Sequence, residues 1–193
     1  MKKKIVITGG LGYIGTELCK LYSGVSWHHE IIVIDNRFFS ERVNQIRNWN
    51  MKFIQGDILD KNLIKKYCKD ANVVHHLAGI TDVPRTKNES SLLQDEKIKE
   101  VGEKGTQNIL DVISDKCKII FPSTHVVYEG IDEVKKDIKE EEDLRPVLSY
   151  SSSKAINENQ LQKSGKNYVI LRLGSVYGYS SDSMRVDIMP NLF

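Results

Sequence analysis

Tyr150 and Lys154 stand four positions apart in the stretch YSSSK, so a helix through them places both on one face. A phenol with a pKa of about 10 is a poor base at neutral pH, but an adjacent ammonium favours the phenolate. Such a pair can take the proton from a substrate hydroxyl. Thr124, at the end of the apolar run KIIFPST, offers a hydroxyl that can hydrogen-bond the same reacting oxygen. His125 is a second candidate base or ligand-lining side chain, although consecutive strand residues face opposite ways. The spacing Y-x-x-x-K is common, and only its setting can give it meaning.

That setting must bring residue 124 and residues 150–154 together. Short β-branched runs at 4–8, 30–34, 51–55, 72–75, 118–122 and 168–171 alternate with amphipathic stretches near 13–22, 41–48, 60–69, 90–114 and 149–164. Runs as apolar as IIVI and KIIF imply burial on both faces. Alternation with helices then predicts a Rossmann-like, doubly wound α/β domain, its parallel sheet covered by helices on both faces. Ligands gather at the carboxyl ends of strands in such folds, and Ser123 and Thr124 fall at one of those ends. The charged stretch 129–147 lacks an apolar period and reads as a surface loop.

The segment VITGGLGYIG, residues 6–15, explains what the sheet could hold. Its glycines satisfy both G-x-G-x-x-G (Gly10, Gly12, Gly15) and G-x-x-G-x-x-G (Gly9, Gly12, Gly15). Unpaired amides and the dipole at a helix start favour an anion, and glycine lets a pyrophosphate approach the main chain. A tight strand-to-helix turn without a ligand gives the same pattern. Two features favour a dinucleotide: the loop follows the first strand, and Asp35, 20 residues after Gly15, ends the run IIVID. A carboxylate there accepts from an adenosine ribose and repels a 2′-phosphate, which selects NAD over NADP. Arg37 pulls the other way, and a capping role for Asp35 satisfies the same spacing. With a dinucleotide bound, Tyr150 would take a hydroxyl proton while hydride leaves the same carbon for nicotinamide, and Lys154 would also hold the nicotinamide ribose.

Composition limits the partners. Lysine and arginine number 28 against 26 acidic residues, a net charge of +2, so nucleic acid and anionic membrane surfaces gain no support. The apolar run behind Met1-Lys2-Lys3-Lys4 stops at Thr8, too short for a signal or membrane segment. Cys19, Cys68 and Cys117 fit no close-spaced metal motif, so no metal is expected and reduced thiols in a cytoplasmic protein are the expectation.

Taken together, TGGLGYIG, GDILD (56–60), HHLAG (75–79), PSTHVVYE, YSSSKAINE and RLGSVYGY (172–179) resemble, in order, the motifs of the extended short-chain dehydrogenase/reductase family in its nucleotide-sugar epimerase/dehydratase branch. The resemblance spans residues 4–179 and is similar above all to UDP-glucose 4-epimerases. It implies that Gly9, Gly12, Tyr13, Ile14, Gly15, Asp35, Asn36, Asp57, Ile58, Leu77, Ala78, Gly79, Tyr150 and Lys154 bind NAD. It further implies that Thr124, Tyr150 and Lys154 carry the chemistry, and that Thr124, His125 and Ser175 meet a nucleotide-sugar.

Departures from the pattern shape the expectation. Dehydratases of the family carry an acid just after the catalytic threonine, where this chain has His125 and Val126, so a 4-epimerase is expected before a dehydratase. A dehydrogenase, reductase or decarboxylase, or a non-catalytic NAD-binding module, are the other readings. Gly102, Ser175 and Glu129 stand where many members have Asn, Asn and Gly. Family members continue into a carboxyl-terminal substrate domain. Residues 1–178 are therefore expected to form the NAD(P)-binding domain and 179–193 the start of a substrate region that is largely absent, leaving apolar surface exposed. The resemblance also points to a homodimer through the helices near 90–114 and 149–164.

Overall fold

The computed structural model describes residues 1–81 and 91–180. Six strands form one parallel sheet: β1 (Lys4–Thr8), β2 (Glu30–Asp35), β3 (Lys52–Gln55), β4 (Val73–His76), β5 (Lys118–Thr124) and β6 (Asn167–Leu173). Their spatial order is β3-β2-β1-β4-β5-β6, and every neighbouring pair runs parallel. The helices are α1 (Tyr13–Ser23), α2 (Ser40–Asn48), α3 (Lys61–Cys68), α4 (Leu92–Lys99), α5 (Gly105–Val112) and α6 (Ser149–Lys163).

The apolar runs are continuous because successive side chains enter two different cores. On β1 and β2, Ile5, Ile7, Ile31 and Val33 pack with Cys19, Val43 and Ile46 from α1 and α2. The alternate residues Val6, Ile32 and Ile34 join Val74, Ile119 and Phe121 against Ile64, Ile109 and Leu161 from α3, α5 and α6. Each such fully buried side chain contributes about 1.5–3 kcal/mol relative to exposure. The Rossmann-like doubly wound fold read from the sequence is the fold observed.

Two boundaries differ from the expectation. β5 continues past Pro122 to Thr124, although proline donates no ladder hydrogen bond; Ser123 and Thr124 still pair with Arg172 and Leu173 of β6. The long helix expected at 90–114 is divided: α4 passes through a wide π-type turn at Glu100–Lys104 into α5, and residue 90 lies outside the described residues. At the turn Gly102 lies against α6, where a side chain would start 2.2 Å from Ser153 Oγ. Asn157 Nδ2 donates to the Gly102 carbonyl at 3.1 Å. The stretch 129–147 contains no helix or strand, in keeping with a loop.

After β6 the chain lies back across α1. Tyr13 Oη donates to the Gly178 carbonyl at 2.5 Å, and Ser180 Oγ donates to Glu17 Oε1 at 2.6 Å. Most of the expected carboxyl-terminal region, 181–193, lies outside the described residues. Among the described residues no helix is long and apolar enough to cross a membrane. Cys19, Cys68 and Cys117 are buried free thiols; burial pushes them up to about 12, 12 and 11, so all stay protonated.

Candidate functional site

β1 and β4 are neighbours in the sheet, yet the chain leaves them toward opposite edges. A crevice opens at their carboxyl ends because the connections beyond them diverge. The cleft there has a volume of about 1090 Å³, at the upper end of the size of small-molecule sites.

The glycine turn forms one wall. Gly9 adopts φ +72°, and a side chain there would start 2.6 Å from Ala78 N on the β4 side. At Gly15 an added Cβ would sit 2.3 Å from the Gly9 carbonyl oxygen, so only glycine lets α1 begin this close to the turn. Gly12 is the residue preceding α1, and it offers no side-chain cap. Gly9, Gly12 and Gly15 line the cleft, whereas Gly10 faces the core, where its Cβ would strike Val33. Of the two glycine patterns, G-x-x-G-x-x-G is the one that faces the opening.

Asp35 sits at the tip of β2 and is 5% exposed. Its carboxylate accepts from Leu11 N at 3.0 Å and from Arg37 N at 3.0 Å, so it braces the glycine turn as well as facing the cleft. Asn36 donates to Asp57 at 3.3 Å, and Asp57 accepts from Leu59 N at 2.9 Å. Tyr13, Ile14, Asn36, Asp57, Ile58, Leu77, Ala78 and Gly79 all line the same cleft. So do Arg37, Phe39 and Arg42, which the sequence reading did not place together. Both guanidiniums lie over the Phe39 ring, 5.5 and 4.8 Å from its centroid, and Arg37 pairs with Asp35 at 3.5 Å. Only the crowding of charged and aromatic residues in DNRFFSER hinted at this cluster.

Thr124, Tyr150 and Lys154 occupy the opposite end. Thr124 Oγ1 accepts from Val126 N at 3.3 Å, a role that leaves the hydroxyl proton for donation. Lys154 Nζ donates to the Pro122 carbonyl at 2.7 Å. It lies 4.4 Å from the Phe121 ring centroid and 5.8 Å from that of Tyr150. Burial pushes the Lys154 ammonium down to about 8, against an opposing pull from Glu158. Beneath it His76 is buried between Thr8 Oγ1 and Thr106 Oγ1, both at 3.0 Å. Burial, with the Lys154 charge, pushes that imidazole down to about 3, so it is neutral.

Behind the pair, buried Glu158 receives three contacts from the Arg172 guanidinium, at 3.1, 3.2 and 2.7 Å. It also accepts from Ser123 Oγ. Arg172 in turn reaches Tyr128 Oη and, at 2.8 Å, the Glu140 carbonyl. This cluster ties β5, β6, α6 and the loop together directly under the reactive end.

Two expected substrate residues lie elsewhere. β5 ends at Thr124, and His125 opens a 3-10 turn (His125–Tyr128) that carries its exposed ring toward the Leu173 carbonyl, 3.2 Å from Nδ1. Gly174 and Val176 line the cleft, while Ser175 between them is exposed and does not. Both positions fall just past a strand end, where the path of the chain depends on contacts that neighbouring sequence does not specify.

The strand order and the glycine turn at the switch point define a Rossmann-type α/β domain. The family model "NAD dependent epimerase/dehydratase family" matches residues 5–191, and the chain belongs to that family. It is 29% identical over 197 aligned positions to a dTDP-D-glucose 4,6-dehydratase of Dictyostelium discoideum, covering 91% of this chain and 44% of that protein. It is 35% identical to a UDP-N-acetyl-alpha-D-glucosaminuronate decarboxylase of Bacillus cytotoxicus, covering 66% of this chain and 38% of that one. Among solved structures, a UDP-glucose 4-epimerase from Brucella ovis in complex with NAD superposes with a TM-score of 0.72 at 28% identity, covering 91% of this chain and 53% of that one. The chain thus spans about half the length of the relatives it matches.

Proposed function

We propose that this chain is the NAD-binding and proton-transfer part of a nucleotide-sugar 4-epimerase. One observation supports the reading most: the glycine turn, Asp35 and the Thr124–Tyr150–Lys154 group face a single cleft. The residues fit the cofactor. Gly9, Gly12 and Gly15 present bare main chain to the cleft, the start of α1 favours a diphosphate, and the Asp35 carboxylate suits a ribose diol. NAD, when bound, supplies the acceptor and the return donor for the hydride of a sugar carbon.

The chain's own residues handle the proton. Tyr150 takes the proton of the sugar 4-hydroxyl, and the Lys154 ammonium keeps the phenolate accessible near neutral pH. Thr124 donates to the same sugar oxygen and holds it in place. Once the 4-keto sugar has turned its other face inward, Tyr150 returns the proton to that oxygen. Elimination needs a proton donor for the departing hydroxyl, and His125 and Val126 put no carboxylate just after Thr124. That favours epimerisation over dehydration.

The test is to incubate the complete protein with NAD and a panel of UDP-, GDP- and dTDP-sugars, following products by NMR and NADH by absorbance. The expected outcome is a C4 epimer with no net NADH. Accumulating NADH points to a dehydrogenase, and a 4-keto-6-deoxy product to a dehydratase; either contradicts the proposal.

A further inference from the structure

At the start of the helix that carries Tyr150 and Lys154, Ser151 Oγ accepts from Leu148 N at 3.1 Å and donates to the Leu148 carbonyl at 2.9 Å. The residue preceding α6 is Leu148, whose side chain has no acceptor, and Tyr150 lies in the first turn, where backbone N–H groups lack helical partners. The acceptor arrives from the far end of the 129–147 loop. Glu129 Oε1 accepts from Val147 N at 2.8 Å, from Leu148 N at 2.7 Å and from Ser151 Oγ. A single carboxylate oxygen thus gathers three donors at the positive end of the helix, where a negative charge is favoured.

The base of the loop is pinned on the same side. Gly130 N donates to the Arg145 carbonyl and Arg145 N to the Val127 carbonyl, each at 2.8 Å. A side chain at position 130 would start 2.6 Å from the Arg145 oxygen, so the two loop ends touch. Partial burial works to raise the Glu129 carboxyl, but its Ser151, Leu148 and Val147 donors outweigh that and hold it below the ordinary range.

We propose that Glu129 is a positioning residue: it caps α6 across the loop and fixes Tyr150 relative to Lys154 and the cleft. The inference rests on Tyr150 being the base. Glu129 is not among the residues that line the cleft; it acts by setting where the first turn of α6 stands. Removing the acceptor frees the turn that holds Tyr150, while the Lys154 ammonium stays anchored on Pro122, so the two charges separate.

Glu129→Ala and Glu129→Gln decide the matter, because both remove the charge and only Gln keeps the acceptor. The readout is the titration of Tyr150 by NMR of ring-13C tyrosine in this chain with NAD present, the signal assigned from Tyr150→Phe. The expected midpoint is at least about 1 pH unit higher in the Ala variant than in the Gln variant, with NAD affinity within about threefold in both. Coinciding midpoints overturn the proposal. Should the Ala variant not fold, Ser151→Ala keeps the carboxylate but breaks its link into the first turn. An upward shift there supports the clamp and an unmoved midpoint overturns it. A wild-type midpoint equal to that of free tyrosine contradicts the base assignment itself, and is read independently of the Ala–Gln difference.

Discussion

At the residue scale, the buried Lys154 side chain is held under electrostatic tension. Its ammonium is held at about 8, against an ordinary 10.5, because burial in the cleft floor costs hydration that the Pro122 carbonyl and Glu158 only partly replace. Between those two values the unfolded chain binds more protons than the native one, so native stability rises with pH through that window. Below pH 8 both states are protonated and the penalty is fully present. Lys154→Met removes it. The variant should therefore be more stable than wild type at pH 7, and the gap should shrink by up to about 3 kcal/mol as pH rises from 8 to 10.5. Urea titrations across that range measure it; a gap independent of pH contradicts the assignment. Tyr150→Phe keeps the ring and removes the hydroxyl proposed to take the substrate proton. In the complete protein it should lower turnover at least ~100-fold, with NAD affinity nearly unchanged. Parallel loss of both would place Tyr150 in cofactor binding alone.

At the scale of elements, the cleft depends on how closely the glycine turn packs and on what lies beneath β5 and α6. Gly9→Ala meets both a left-handed backbone and the Ala78 main chain, and should cost about 2–4 kcal/mol together with NAD binding. Gly79→Ala, at another cleft position with open space around it, should cost far less, and equal losses would mean that crowding at the turn is not the cause. The Glu158–Arg172 pair offers a second comparison. Arg172→Met leaves Glu158, 1% exposed, as an uncompensated buried charge and should cost about 3–5 kcal/mol. Adding Glu158→Gln should recover part of that loss, and additive losses in thermal or denaturant unfolding would show that the two side chains act separately.

The same scale shows what the sequence made legible. Strands whose residues serve two cores read as unbroken apolar runs, so β1 and β2 were plain. The glycine turn and the Tyr150–Lys154 spacing were legible because each is a local geometric demand, met within a few residues. Long-range pairings were not. Nothing near Leu148 announces an acceptor from residue 129. His125 and Ser175 were expected as substrate residues from the family resemblance, and both fall just past a strand end, outside the residues that line the cleft. The break after α4 escaped notice because it comes from Gly102 meeting Ser153 and Asn157 on a different helix.

For the molecule as a whole, the switch point between β1 and β4 brings two groups into one cleft: the glycine turn with the Asp35 carboxylate, and Tyr150 and Lys154 beside Thr124. A crystal structure of the chain with NAD is the most direct test of that arrangement. The account predicts the diphosphate against Gly9, Gly12 and Gly15, the adenosine ribose on Asp35, and the nicotinamide ring beside Thr124 and Tyr150. A dinucleotide bound elsewhere, or one whose nicotinamide points away from Tyr150 and Lys154, would contradict it.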